Sequence, residues 1–596
     1  MTDQPVPHAP AATPTDPPPV PGRWLARHGY AVLALVCLLL WAPGILSLPA
    51  LDRDESRFAE SSRQMLDSGN YVDIRFGQVP RYKKPVGIYW LQAAATAIAG
   101  PLTGRIGDHS RIWTYRLPSL LGAMAAVLLT FQCGALFSAE AGPEVGLFAG
   151  LLVAASLLLT GEATQATTDA ALLATVMLTQ GVLLRLWRAA RDNAPPPSLR
   201  LVMAGWAALA VGILLKGPVT PGVAMVTLAV LIGWERWEKK KFYLAWLAST
   251  RPWRGLALAV VITAPWLIAI AIQSHGAFFQ QSLGGDFAAK VAEGQEGHGA
   301  PPGYYLLVSS LTFWPAILFV LPGIGVGVTR RAEPGVRFLL AWAAGWWLLV
   351  ELVPTKLPNY VLPSLPPLAI LASLWLIAAE GSDESGWRRF LPVVAAAQAV
   401  LGLAALGAAS FFLPARFGAG APWPLLAAAA LGGFLGLVGL ILVLVGRRVG
   451  ALAFTMAAAL ILIPNLTSGI GPLLTQLWLS QRLAQTVAND RQPYDPPPIL
   501  AGYAEPSMVF ALGADVALTD GKGAAEQGLV RGGLALVDDA ERPAFLARLA
   551  ELQGNADALD ALSGFNYSRG RTTHVTLYRV APLDPITRPL TPPLAH

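Results

Sequence analysis

The chain has 596 residues, of which 54% are hydrophobic and only 13% charged, with 19 Trp and a mean hydropathy of +0.50. That composition excludes an ordinary soluble globular domain and describes an α-helical polytopic membrane protein. The formal net charge of +6 does not point to nucleic acid: the basic residues cluster between apolar runs, where they act as orientation signals, and no nucleic-acid-binding motif occurs, so no nucleic acid partner is expected.

Residues 1–29 open with a Pro-, Ala- and Thr-rich stretch lacking an apolar core or cleavage-site pattern, and are expected to be a disordered cytoplasmic tail. A membrane helix needs about 20 mostly apolar residues. Candidates fall near 30–48, 116–137, 144–161, 169–187, 201–215, 220–234, 255–273, 304–327, 338–354, 362–379, 390–413, 425–446 and 450–467, which gives about 13 transmembrane helices. Cys37 and Cys133 both lie inside such runs, so no disulfide framework or cysteine metal site is expected in water.

One further run, 86–102, is ambiguous because it is short, contains Gln92 and is bracketed by Pro85 and Pro101. Charge decides it. If this run does not cross, the loops after residue 138 assigned to the cytoplasm hold seventeen Lys or Arg, against four on the other side, namely Lys216, Lys290, Lys356 and Arg416. The run is therefore expected to be a juxtamembrane helix. This places residues 49–116 in one non-cytoplasmic loop and the N-terminus in the cytoplasm.

That loop is unusually charged: Asp52 to Lys84 carries seven Lys or Arg and six Asp or Glu in 33 residues. Within it, "DESRFAESSRQML" puts Phe58, Ser62, Met65 and Leu66 on one side of an amphipathic helix. Asp54 reads either as a helix N-cap or as a reacting carboxylate, with Glu55 and Arg57 beside it. In "RYKKP", Arg81, Lys83 and Lys84, next to Tyr82, read either as a clamp for anionic headgroups or as phosphate ligands of a lipid-linked substrate.

On the same side, "GEATQATTDAALL" (161–173) puts Asp169 in the first turn of a helix, where a carboxylate stabilises the helix dipole or serves a site. The loop 274–305 contains His275 and His298, with Asp286, Glu293 and Glu296 nearby, as weak candidates for metal ligands, and enough glycine to act as a lid. In "PTKLPNYVLP" (354–363), Lys356 either snorkels to the surface or meets a phosphate, with Tyr360 following at helical spacing. Residues 468–596 alternate short strands and helices after Pro496, as in a small periplasmic α/β domain.

Taken in order, "DRDESRFAE", "RYKKPVGIYWLQ", "YRLPSLLGAM", "ATTDAALL", "KLPNYVLP" and "GYAEPSMVF" resemble the bacterial lipid A aminoarabinose transferases and their relatives in the protein O-mannosyltransferase superfamily, from about residue 24 to 580. The resemblance implies a GT-C glycosyltransferase fold spanning 30–467. It also implies a polyprenyl-phosphate (undecaprenyl-phosphate) sugar donor, inverting transfer at the periplasmic face of the inner membrane, and lipid A or another envelope glycan as acceptor. By it, Asp54 and Asp169 match the acidic catalytic positions. Lys84 matches the donor-phosphate lysine, with Arg57, Arg81, Lys83, Lys356 and Tyr360 as further donor-phosphate candidates and Glu55 and Tyr82 as acceptor-side or supporting residues. Where the aminoarabinose transferases have a metal-binding glutamate just before that lysine, this chain has Lys83, which leaves a divalent metal undecided. Transfer of a hexose or uronic acid, protein O-glycosylation, and a lipid-linked sugar transporter are the competing readings.

Overall fold

The computed structural model describes residues 21–103, 109–138, 140–240, 242–282, 299–378 and 386–583. Among them, eleven helices are long and apolar enough to cross a membrane. A bent pair brings the count to twelve at most, against the thirteen expected, and the remaining run is broken into shorter helices. Run 144–161 is a pair of helices, α5 (Gly142–Ala155) and α6 (Leu157–Ala163), bent by 66° at Ser156. Run 304–327 is split into Tyr304–Thr312 and the short apolar helix Ile317–Thr329.

The interruptions satisfy one another. The Leu157 N–H, freed by the bend in α5–α6, donates to the Trp314 carbonyl at 3.1 Å in the other break, and the Ser156 hydroxyl accepts from Leu159 N–H at 3.3 Å. Irregular backbone inside a membrane protein survives only when its polar groups are matched in this way by protein. The chain is a multi-span membrane protein.

Burial sorts the spans into layers. The helices Asp169–Arg191 and Pro358–Ile377 are 78% and 89% buried over their most apolar windows, whereas Trp423–Leu444 is 28% buried. The first two form the centre of the bundle and the last faces outward. Close packing at the centre depends on small residues. A Cβ at Gly122 in α4 (Ile112–Gly134) would lie 2.5 Å from the Cα of Ala171 in α7 (Asp169–Arg191), so these helices touch backbone to backbone close to Asp169.

Two expected boundaries move. The first helix, α1 (Pro21–Ser47), begins eight residues before the anticipated end of the tail at 29, while residues 1–20 lie outside the described residues. At the other end, the last span runs to Leu473, so the soluble domain starts after that residue rather than at 468.

The ambiguous run 86–102 forms α3 (Gly87–Ala99), 13 residues long. At 1.5 Å per residue it extends about 20 Å, too short for a hydrocarbon core of about 30 Å. Gln92, which made the run ambiguous, is buried and acts as a clasp. Its Oε1 accepts from the Ser62 hydroxyl at 2.7 Å and its Nε2 donates to the Ala166 carbonyl at 3.0 Å. Ser62 belongs to α2 (Asp54–Ser68), the charged amphipathic helix, so α3 joins α2 to the segment leading into α7. Beyond α2, the short strands β1 (Arg75–Phe76) and β2 (Val79–Pro80) form a small hairpin.

The C-terminal domain is a five-stranded sheet, β3 (Ile499–Ala501), β4 (Ala517–Thr519), β5 (Gly533–Asp538), β6 (Ala556–Asn566) and β7 (Arg571–Val580), in spatial order β4-β3-β5-β7-β6. The β3 strand pairs parallel with β4 and β5, and β5 pairs antiparallel with β7. Central β5, "GLALVD", is buried along its whole length because both faces are covered. Leu534 and Leu536 pack with Leu483 and Met508 on one side, and Ala535 and Val537 with Phe545 and Leu529 on the other.

The contact between α4 and α7 can be tested directly. Gly122→Ala should cost about 1–3 kcal/mol through overpacking, lowering the thermal midpoint of the detergent-solubilised protein, whereas Gly161→Ala, with nothing near its added Cβ, should leave the midpoint in place.

Candidate active site

The first loop is anchored by one buried ion pair. Arg116, in α4, has its side chain 0% exposed, as does Glu55 in the first turn of α2. The guanidinium donates from Nε to Glu55 Oε1 at 2.8 Å and from one terminal nitrogen to Oε2 at 2.9 Å. Its remaining N–H groups reach the carbonyls of Ile45, Leu48 and Pro49 at 2.9, 2.7 and 2.9 Å, at and just beyond the end of α1. Glu55 in turn accepts from the backbone N–H groups of Leu51 and Ala166, each at 2.8 Å. Bidentate geometry with every lone pair occupied is the condition under which a buried pair is tolerated. Glu55 is therefore held as a structural anchor, fully buried and outside the cavity lining.

Around this anchor, α2, "RYKKP", the segment 162–169 and the turn 355–360 enclose a cavity of about 290 Å³. Asp54, Arg57, Arg81, Lys83, Lys84, Asp169 and Tyr360 all line it. Residues far apart in sequence thus converge as anticipated. Asp54 is 71% exposed, with Arg81 at 3.7 Å and Arg57 at 4.0 Å. Arg81 itself is 9% exposed and stacks over the Phe58 ring at 5.2 Å, which fixes its head at the cavity wall. The N-cap of α2 is Arg53, with no side-chain capping bond, so Asp54 is not the cap.

Asp169 opens α7. Its Oδ1 and Oδ2 accept from Lys216 Nζ at 2.6 and 2.8 Å, and Oδ2 also accepts from the Thr168 hydroxyl at 3.0 Å. Lys216 is the last residue of α8 (Leu199–Lys216) and sits over the Tyr360 ring at 5.6 Å. Asp169 thus stabilises a fixed cation at the cavity wall in addition to its place at a helix N-terminus. Glu162, near the end of α6, lines the same cavity and accepts from the Thr167 hydroxyl at 2.8 Å.

Lys356 and Tyr82 fall outside the cavity lining. Lys356 does not face the cavity: its side chain is 1% exposed and Nζ donates to the carbonyls of Glu351 and Val353 at 2.7 and 2.9 Å, closing the C-terminus of the helix Pro334–Leu352. Tyr82 also turns away, donating its hydroxyl to Asp73 at 2.7 Å and packing edge-on against Phe278. His275 is exposed in the turn after Gln273, away from the cavity lining, while His298, Asp286, Glu293 and Glu296 lie outside the described residues. Among the described residues no three His, Cys, Asp or Glu converge to hold a metal ion. Of the cavity carboxylates, Asp169 is engaged by Lys216 and Asp54 is flanked by two arginines.

Sequence reasoning missed Lys216, Glu162 and Arg53 as cavity residues. The signal for Lys216 was present: it is one of the four lone cations on the sparsely charged face. Glu162 could have been found as an ionisable side chain at the end of an apolar run.

The C-terminal domain grips the residues just before Asp54. Asp52 N–H donates to the Tyr567 hydroxyl at 2.6 Å, the Ser507 hydroxyl donates to Asp52 Oδ1, and Arg53 donates to the Ser568 carbonyl. Farther along α2, Arg63 donates to the Phe510 carbonyl at 2.9 Å. Burial pushes the Asp52 carboxyl up to about 6, the Ser507 hydrogen bond opposing and the nearby Glu505 reinforcing the rise. A raised carboxyl favours the protonated form in the docked state, so its contribution to docking is full below about pH 4 and is lost as pH rises through about 6. Between pH 5 and 7.5, amide exchange in the helix Pro506–Leu512 should therefore quicken more in the wild type than in Asp52→Asn, which has no charge to bury.

No family model matches the chain. In sequence it is 28% identical over 358 residues to the undecaprenyl phosphate-alpha-4-amino-4-deoxy-L-arabinose arabinosyl transferase 2 of Pseudomonas fluorescens, covering 59% of each chain. It is 26% identical over 369 residues to the corresponding transferase of Edwardsiella ictaluri, covering 60% of this chain and 59% of that one. The chain thus spans about three fifths of the length of the curated relatives it matches. Among solved structures, ArnT from Cupriavidus metallidurans in the apo state superposes with a TM-score of 0.68 at 19% identity, over 92% of this chain and 98% of that one. Its form bound to undecaprenyl phosphate gives 0.64 over the same shares. The chain has the GT-C glycosyltransferase fold of ArnT and resembles the aminoarabinose transferases in sequence.

Proposed function

We propose that the protein is a bacterial inner-membrane glycosyltransferase that moves a monosaccharide from a polyprenyl-phosphate donor to a periplasmic envelope acceptor, lipid A or lipopolysaccharide by the resemblance of its motifs. The observation that carries this reading is the cavity where Arg57, Arg81, Lys83 and Lys84 meet the exposed Asp54 carboxylate at one end of the helical bundle. As the bond from the sugar to the phosphate oxygen breaks, negative charge grows on a lipid phosphate. Preorganised cations lower the barrier at that moment. The sugar passes to the acceptor oxygen by direct displacement with inversion. If that oxygen belongs to a hydroxyl, Asp54 takes its proton; if it belongs to a phosphate, already anionic, Asp54 orients it.

The names of the curated relatives support 4-amino-4-deoxy-L-arabinose as the transferred sugar. Transport of an intact lipid-linked sugar finds less support. Transport sites collect ionisable residues and broken helices near the middle of the membrane. Here Asp54 and Asp169 are the first residues of their helices and Lys216 the last of its own.

Purified protein in lipid, offered radiolabelled polyprenyl-phosphate sugars and lipid A, should transfer label, and Asp54→Asn should lower the rate by about 100-fold or more with a hydroxyl acceptor. Movement of intact donor across the bilayer without transfer would overturn the reading.

The orientation proposed here puts the N-terminus in the cytoplasm and the first loop and C-terminal domain in the periplasm. On intact spheroplasts, an impermeant maleimide should label Gln78→Cys and Lys522→Cys, and should reach Lys239→Cys only after lysis; all three positions are exposed, and the native Cys37 and Cys133 are buried.

A further inference from the structure

The cavity has two chemically different walls. Arg57, Arg81, Lys83 and Lys84 present cations from the first loop. Facing them, the end of α6 and the turn into α7 present acceptors and amides, Glu162, Gln165 and Thr167 among them. The two carboxylates of this second wall are used differently. Asp169 is engaged by Lys216 and Thr168. Glu162 accepts one hydrogen bond, from the Thr167 hydroxyl to Oε2, and it forms no ion pair among the described residues.

Its position is fixed from both sides. Glu162 is the second-to-last residue of α6, a helix set at 66° to α5 by the break at Ser156. Thr167 holds one oxygen from the turn that follows, and the Thr164 hydroxyl closes that turn on the Thr160 carbonyl at 2.9 Å. Oε1 is left with acceptor capacity at the edge of a closed space of about 290 Å³. The phosphodiester of a lipid-linked sugar has no proton to offer such an oxygen. A sugar hydroxyl or ammonium group supplies the donor it needs.

We propose that Glu162 reads the transferred monosaccharide, accepting through Oε1 a hydrogen bond from a hydroxyl or ammonium group of the sugar, while the first-loop cations hold the phosphate. This rests on the reading of the cavity as a polyprenyl-phosphate sugar site. It assigns the sugar to the wall built by residues 162–167 and makes Glu162 a determinant of donor specificity, with Thr167 as its positioning residue.

Sugar-free polyprenyl phosphate separates the two walls, because it fills one and leaves the other empty. Binding of polyprenyl monophosphate and of the polyprenyl-phosphate sugar should be measured on the full-length protein in lipid nanodiscs, for the wild type, Glu162→Ala, Glu162→Gln and Thr167→Val. Glu162→Ala should weaken the sugar-bearing donor by at least about tenfold, the scale of one hydrogen bond to a charged group, while leaving polyprenyl monophosphate within about twofold. Glu162→Gln, which keeps one acceptor, and Thr167→Val, which frees the carboxylate to rotate, should fall between, and in turnover both should raise KM for the donor more than they lower kcat. Equal weakening of both ligands, or no change in either, would overturn the assignment of Glu162. A wild type that binds neither ligand would instead remove the polyprenyl-phosphate reading of the cavity, and this proposal with it.

Discussion

The Glu55–Arg116 pair is the constraint on which the geometry of the site depends. It joins the end of α1, the start of α2, the start of α4 and the approach to α7, since Arg116 binds three carbonyls at and just beyond the end of α1 and Glu55 binds Ala166. Asp54 precedes Glu55 and Asp169 lies three residues after Ala166, so the separation of the two cavity carboxylates follows from a single ion pair. Such a pair is only weakly stabilising relative to a well-packed apolar substitute, yet losing one partner costs about 3–5 kcal/mol because the other charge is left buried. Its value here is positional: it converts a charged loop at a membrane surface into a rigid wall.

With the wall fixed, electrostatics divides the cavity. Cations dominate the side built by α2 and "RYKKP", where Arg81 is braced by the Phe58 ring over which it stacks. On the other side, Lys216 is tied to Asp169 and packed over Tyr360, so a positive charge is also held where two helix ends meet. Charges in such a pocket act on a ligand through a lower effective dielectric than bulk water provides, which is why a few well-placed cations can matter more than the net charge of the whole chain.

The spans were legible in the sequence because lipid imposes a strict length and composition on any helix that crosses it. The short run 86–102 was legible because loop charge, rather than hydropathy, decided it. Pairings were not legible, and the two lone lysines show why. Lys356 and Lys216 look alike in sequence, each a single cation on a sparsely charged face. Lys356 lies five residues after Glu351 and folds back onto the carbonyls of its own helix. Lys216 meets Asp169, 47 residues away, only because α8 ends where α7 begins. The two roles open for Glu55 could not be separated for a related reason: neighbouring carboxylates on one helix turn point to different surroundings, so Asp54 reaches the cavity while Glu55 is buried at 0% exposure. Glu162 was hidden inside a segment whose visible feature was Asp169.

The C-terminal domain completes this logic, because it acts on the one residue between the anchor and its own surface that is held in an unfavourable backbone conformation. Arg53 has φ 65° and ψ −112°, a region that costs a residue with a side chain on the order of 1–3 kcal/mol and persists only where neighbours over-determine it. Those neighbours are Tyr567, Ser507 and Ser568 of the domain on one side and Glu55, locked by Arg116, on the other. Arg53 lines the cavity and Asp54 follows it directly. The C-terminal domain thus reaches the cavity wall through Asp52 and Arg53, and it shares with the Glu55–Arg116 pair the placement of the Asp54 carboxylate.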